Sequence, residues 1–406
     1  MSRDGGRKAP VPLFLTMMGV MEAFAGPVRH VYIHVPFCTA RCDYCDFEAE
    51  PVGAAGPAEP AVAALFERYV AAVGAEWERE RAACDVRRVA SLYLGGGTPA
   101  LLGPARLERI VAGFDGHLTP RAEMTVETNP DEADAAFAAW AATRGVRVSL
   151  GVQSFDPMLR AALGRRPAAD PAAATRRLRT AGVRDLSIDL MHGIPGQTTS
   201  DLDADLGMVD DLAPDHVSWY ELDVSAGTPL ARRLRGGHGP RPPARAGEDE
   251  RAAQHRHVVS GLECRGYRWY EVSNFARPGR QARHNVAYWR ARPYLGLGPG
   301  AVSTVGRRRW RNAPGAAAYG EALAADRLPH RHVETLDATT LARERLMLAA
   351  RCGLAVPIDE VAAAIDAAAL APLGAAGLLS LHSGTIRVTR KGRYVANEVC
   401  VRLFRA

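Results

Sequence analysis

A chain of 406 residues is long enough for two domains, or for one large domain with an appendage. Its 47% hydrophobic and 24% charged content is an ordinary globular balance and argues against a disordered or fibrous chain. The net charge of +6 comes almost wholly from arginine spread along the chain. With no basic stripe interleaved with aromatics, nucleic acid is not an expected partner.

Seven cysteines, an odd number without a regular framework, point to a reducing compartment and to thiols that react or ligate. Cytoplasmic location is therefore expected. The N-terminus imitates a signal peptide, with Arg3, Arg7 and Lys8 before an apolar run and then Ala23-Phe24-Ala25. The free thiols weigh against export, and Met17, Met18 and Met21 offer later starts. Residues 1–28 are read as a dispensable, disordered extension. No other apolar run approaches the ~20 residues of a membrane span.

A β-branched strand over 31–35 ends at Pro36. Cys38, Cys42 and Cys45 follow, spaced C-x3-C-x2-C. Iron–sulfur clusters are usually held by four cysteine thiolates. Three local thiolates leave one iron open to a substrate or cosubstrate. Structural zinc favours four ligands, often as paired C-x2-C units. Only one such unit exists here, and Cys84, Cys264, Cys352 and Cys400 are scattered.

A Pro/Gly/Ala linker precedes a helix over 61–83, where Leu65, Tyr69, Val73 and Trp77 repeat at i, i+4. Strands are predicted over 89–94, 124–127, 146–153, 185–191 and 216–221. Helices are predicted over 101–114, 131–144, 157–163, 172–181 and 199–212. Six strands alternating with helices mean a parallel sheet with crossover helices. The expected fold is α/β, a partial (β/α)6 barrel. The Gly/Pro/Arg-rich 231–248 reads as a linker. A helix over 250–265 and a strand over 267–272 follow, and 284–303 reads as loop. Helices over 336–348 and 357–370, short strands over 379–382 and 385–389, and a final helix suggest a winged-helix-like module over 331–406.

Candidate site residues fall at strand C-termini, the rim where α/β barrels place their sites. Gly95, Gly96, Gly97 and Thr98 follow the second strand, and glycine backbone admits a ligand closely. Taken alone, a tight turn is the readier explanation. Glu127 ends the third strand, Gln153 the fourth, and Asp189 lies late in the fifth. Ionised acids accept hydrogen bonds from hydroxyl or ammonium groups, and an amide both donates and accepts. A helix cap or ion pair would explain either acid singly. Arg165 could clamp a carboxylate in bidentate fashion, or simply end a helix in solvent. His284, Tyr288 and Trp289 form a second centre. Histidine is a common axial ligand of haem iron, and aromatic rings stack on flat macrocycles. A structural role is the ordinary alternative for a lone histidine.

These segments, in order and spacing, resemble the coproporphyrinogen III dehydrogenase-like branch of radical S-adenosylmethionine (SAM) proteins, and within it the HemW-type haem chaperones. The resemblance runs from about Tyr32 to the C-terminus. It includes Glu127-Thr128-Asn129-Pro130, Gly151 to Phe155, Ile188 to Thr198, Tyr270 to Ala276 and His284-Asn285-Val286-Ala287-Tyr288-Trp289. Dehydrogenase-type relatives carry a further cysteine two residues after the third; here that residue is Phe47. The resemblance implies a radical SAM core over 29–230 and a haem-binding element within 249–330. It implies a 4Fe–4S cluster on Cys38, Cys42 and Cys45. Tyr32, Tyr44, Gly96, Gly97, Thr98, Glu127, Gln153, Arg165 and Asp189 would line a SAM site. His284, Tyr288 and Trp289 would contact haem. Val302 stands where a histidine is expected, which puts a second haem contact in doubt. Haem-accepting apoproteins and an electron donor are the implied partners, with peripheral membrane contact and a homodimer left open. The alternatives are an oxygen-independent coproporphyrinogen III oxidase, a related radical SAM methyltransferase, and a zinc-stabilised domain without catalysis.

Overall fold

The computed structural model describes residues 23–165, 169–236 and 244–405. The first half alternates strands and helices in chain order. It runs β1 (Val28–Val35), α1 (Pro60–Ala83), β2 (Val86–Gly96), α2 (Pro104–Ala112), β3 (Leu118–Thr128), α3 (Ala135–Arg144) and β4 (Arg147–Gln153). It continues with α4 (Pro157–Ala162), α5 (Pro171–Thr180), β5 (Leu186–His192), α6 (Thr199–Leu212), β6 (His216–Glu221) and α7 (Pro229–Leu234). Local chemistry sets the boundaries. Asp134 accepts from the Phe137 amide, so α3 begins at Ala135 rather than at 131. The same helix stops at Gly145, whose φ of 64° only glycine adopts without strain. Thr198 and Asp201 cap each other's backbone amides and fix the start of α6 where the apolar period predicts it.

The second half adds α8 (Glu248–Cys264), β7 (Arg268–Glu271), β8 (Asn274–Ala276), α9 (Arg283–Trp289), β9 (Tyr294–Leu297), β10 (Val302–Val305), β11 (Arg308–Asn312), α10 (Ala316–Ala324) and β12 (Arg331–Thr335). These strands extend the barrel sheet at both edges. The order is β12-β11-β10-β9-β1-β2-β3-β4-β5-β6-β8-β7. The strands from β9 to β6 run parallel; the flanking ones are antiparallel. Among the described residues the sheet does not close on itself, as befits a partial barrel. The loop expected over 284–303 is therefore corrected. It holds a helix and a seventh parallel strand, β9, whose Tyr294 to Leu297 pair with His30 to Ile33 of β1. A four-residue strand interrupted by Gly296 has no local signature. That glycine is needed because a Cβ there would lie 2.2 Å from the Val302 carbonyl oxygen.

The C-terminal module has α11 (Ala338–Cys352), β13 (Ala355–Pro357), α12 (Ile358–Val361), α13 (Ala367–Ala375), β14 (Leu379–His382), β15 (Thr385–Val388), α14 (Arg390–Arg393) and α15 (Ala396–Leu403). Its three-stranded sheet, ordered β13-β15-β14, encloses a separate core that includes Leu346, Val356, Ile386, Val399 and Leu403. One helix was expected over 357–370; two shorter ones stand there, with Asp366 capping the second.

Of the 1–28 extension, residues 1–22 lie outside the described residues. Phe24 is only 3% exposed, meets Tyr294 edge-on and donates its amide to the Ala291 carbonyl, so the end of the stretch is ordered. Of the expected linker, 237–243 lie outside the described residues, and its first residues belong to α7.

One buried carboxylate ties the barrel to its extension. Glu76 of α1 accepts from the Gly298 amide, the Asn312 amide group, the Tyr319 hydroxyl and Arg331 at 2.7–2.8 Å. Removing one member of such a network leaves other polar groups buried without partners, at a cost of about 3–5 kcal/mol. Glu76→Ala is expected to lower unfolding stability by about that amount, read as a fall in the urea midpoint.

Candidate functional site

Parallel strands whose residues alternate across the sheet give this barrel two unlike faces. Leu92, Leu94, Val126, Val148, Leu150, Val152, Ile188 and Leu190 are buried in the apolar core. The intervening positions on the same strands hold Ser91, Tyr93, Thr125, Glu127, Ser149, Gln153 and Asp189. The site is built on that polar face.

At the C-terminal rim, the cysteine loop is closed at its base by a two-rung parallel pairing, Phe37 with Glu50 and Cys38 with Pro51. The glycine stretch after β2 grips it from below. The Gly97 amide donates to the Val35 carbonyl at 2.8 Å and the Thr98 amide to the Phe37 carbonyl at 2.7 Å. A Cβ on Gly97 would lie 2.6 Å from that Phe37 oxygen, so this approach requires glycine. Farther out, the Asp43 amide donates to Leu163, the Leu230 amide donates to Asp43, and Arg41 donates to the carbonyls of Cys45 and Phe47. Tyr44 packs against the apolar cluster of Leu159, Leu163, Ile194, Leu222 and Leu230. Phe47 stands out in solvent, 62% exposed.

Cys38, Cys42 and Cys45 are free thiols on this one loop. Cys38 Sγ lies 3.6 Å from Thr98 Oγ1. Burial pushes the Cys38 thiol up to about 11 and raises that of Cys45, so loading a metal centre must release protons. Among the described residues, no three His, Cys, Asp or Glu side chains converge as a single ion would need. A 4Fe–4S cubane presents its irons at separate corners, and three thiols spread around one loop fit that donor set.

Behind the loop, Glu127 is enclosed, accepting from Tyr93 at 2.7 Å and from the Gly96 amide at 2.9 Å. Burial raises its carboxyl. Asp189 accepts from Ser149 at 3.2 Å, and burial together with nearby Glu127 pushes it up to about 7. Arg165 donates to the Gly151 carbonyl and the Asn129 side chain and also engages Cys42. Gln153, at φ 69°, turns the end of β4. Tyr32 reaches His34 Nδ1 at 3.1 Å. Eight of the nine residues predicted for SAM lie at or just behind the rim, and Tyr32 lies deeper, where its ring also meets His284. Sequence reasoning missed the holders of Glu127, Arg165 and Asp189, which are Tyr93, Asn129 and Ser149. The signal was available as polar residues at every second position of otherwise apolar strands.

The second centre lies at the opposite end. Helix α9 plugs the barrel floor, and Glu123 of β3 accepts from the amides of Arg283 and His284 at its N-terminus. The His284 ring is buried among His30, Tyr32, Tyr93 and Tyr288. Nδ1 lies 2.8 Å from Ser91 Oγ, while Nε2 is buried without a partner. Burial, then His30, pushes this imidazole down to about 3, so it is neutral. Tyr288 faces Tyr294 and Trp289 faces a different cavity, beside Cys352. The structure thus does not gather His284, Tyr288 and Trp289 around one flat ligand. The expected position of a second haem contact holds Val302, paired with Arg311.

A parallel barrel with a three-cysteine loop at its mouth is the architecture of a radical SAM protein. Residues 32–209 match the model of the Radical SAM superfamily, and residues 336–395 match the HemN C-terminal domain. The chain is 38% identical to a Mycobacterium tuberculosis protein named heme chaperone HemW, over 97% of this chain and 98% of that one. A Bacillus subtilis protein of the same name is 28% identical over 92% and 98%. The solved coproporphyrinogen III oxidase (HemN) of Escherichia coli shares the fold at a TM-score of 0.75, with 22% identity over 94% of this chain and 91% of that one. The chain belongs to the HemW-type family of radical SAM proteins. Membership of that superfamily implies a 4Fe–4S cluster and SAM.

Cys38→Ala, Cys42→Ala and Cys45→Ala are each expected to lose most iron and sulfide on anaerobic reconstitution, whereas Cys84→Ala and Cys264→Ala keep them. Gly97→Ala, which pushes on the base of the loop, should lower iron content while far-UV circular dichroism stays native. Full iron in that variant would show that the glycine grip is dispensable.

Proposed function

We propose that this protein binds haem and delivers it to haem-dependent apoproteins, with a 4Fe–4S cluster and SAM at the barrel mouth. The observation that carries this reading is the full-length similarity to proteins named heme chaperone HemW. Phe47 supports it, since it stands exposed where a dehydrogenase-type relative has a further cysteine. Cys38, Cys42 and Cys45 would hold three irons, leaving the fourth for SAM. In this superfamily the bound cluster supplies an electron to SAM. Glu127 and Asp189 would offer their carboxyl groups to the positive charges of SAM. Gly96, Thr98, Gln153, Tyr32, Tyr44 and Arg165 shape and line the same space. The element over 284–289 is the haem-binding part in this reading.

The partners are haem-accepting apoproteins and an electron donor, and the setting is the cytoplasm. Among the described residues no helix is long and apolar enough to cross a membrane.

The test is an anaerobic haem titration, with iron and sulfide measured on the same sample, followed by incubation with an apo-haemoprotein. Haem should bind and then pass to the acceptor. A protein that binds no haem, or that decarboxylates coproporphyrinogen anaerobically, would overturn the chaperone reading.

A further inference from the structure

A chaperone must both hold its cargo and let it go, so its binding surface has to be reachable from solvent. The His284 ring does not meet that condition, because the barrel floor surrounds it and Ser91 engages one of its nitrogens. The neighbouring cavity around Tyr288 and Phe24 measures only 160 Å³. On the outer side of α9 the geometry differs. A groove of 430 Å³ lies between α9 and the start of the C-terminal module, lined by Arg283, Val286, Trp289, Arg290, Cys352 and Leu354 among others. That volume falls within the range of small-molecule and cofactor sites.

The charges of this groove are unusual for a chain that pairs its arginines freely. The Arg283 guanidinium donates a hydrogen bond to the Arg121 carbonyl and, among the described residues, is in no ion pair, though Glu123 beside the helix start feels its charge. Arg290 is exposed, and its side chain has no partner among the described residues. The two stand seven positions apart, two turns along α9, and so share one face of that helix. Between them lie Val286, also on this face, and Trp289. The Trp289 indole nitrogen is buried without a partner, and the Arg351 guanidinium packs 4.9 Å from its ring centroid. Two guanidinium groups in no ion pair among the described residues, beside an apolar, indole-bearing wall, suit a flat aromatic molecule that carries two carboxylates.

We propose that this groove is the seat of the porphyrin, with Arg283 and Arg290 receiving its two propionates and Trp289 forming the wall against the macrocycle. This rests on the haem reading and gives it a place. His284 then acts from behind, as the buried anchor that fixes α9 to the barrel floor. The C-terminal module forms the other bank of the groove through Cys352 and Leu354, so the cargo lies at the seam between the two units.

Two probes test this: haem and metal-free protoporphyrin IX, titrated into the cluster-loaded full chain. Wild-type protein should bind both, because a carboxylate clamp does not need the iron. Arg290→Glu, and more strongly Arg283→Glu with Arg290→Glu, should raise the dissociation constant of each probe about tenfold or more, since a charge-assisted contact becomes a repulsion. Trp289→Ala should weaken both probes too. Unchanged iron content and circular dichroism show that the variants are folded. If wild type binds no haem, the haem reading fails and the groove with it. If wild type binds haem and all three variants bind it equally well, the groove is wrong while the haem reading stands. Loss of binding in His284→Phe with full binding in Arg290→Glu would likewise overturn the groove and move the cargo to the barrel floor.

Discussion

The structure depends on keeping two faces of one sheet chemically apart. Outside, residues such as Val148, Leu150 and Val152 join the apolar core that holds the crossover helices. Inside, Ser149, Gln153, Glu127 and Asp189 take polar groups out of bulk water. Burying a polar group is costly unless it is hydrogen-bonded, and burying an acid more so. The chain meets this demand locally: Tyr93 and the Gly96 amide serve Glu127, and Ser149 serves Asp189. Burial still raises the carboxyls of both acids. A one-residue slip in any of these strands would exchange the faces, so the register that stabilises the barrel also defines the site.

Much of this was legible in the sequence, because long periodic segments carry their own evidence. Helix α6 stands where its capping pair and apolar period put it, and every strand from β1 to β6 was found. The cysteine loop was legible for a different reason: three thiols at that spacing have few other uses. Strand β9 was not legible. It is four residues long and exists only because β1, more than 250 residues earlier in the chain, offers it an edge. Glu76 likewise reads as one more charged position on an amphipathic helix, until folding brings Gly298, Asn312, Tyr319 and Arg331 around it.

The second centre shows how adjacency in sequence misleads. Residues 284 and 288 are four apart and share a helix face, which puts both rings toward the floor aromatics. Residue 289 is turned about 100° from its neighbour, so Trp289 looks elsewhere. Helical geometry alone separates the three residues into two environments. What it does not supply is the other wall of the groove. Cys352 and Leu354 come from the far end of α11, and only tertiary packing brings them there.

The closed base of the cysteine loop bears on how the protein lives without its inorganic partner. The contacts that shape the loop are mainly backbone hydrogen bonds, the wedge of Tyr44 and the reach of Arg41, with the Cys38 thiol adding a weaker one to Thr98. In a small zinc-dependent domain the metal is the fold, and stripping it melts the chain. Here the apolar core and the loop's backbone contacts are made by protein groups. A cluster lost to oxidation would then take its bonds from the loop and leave the contacts of the barrel core in place.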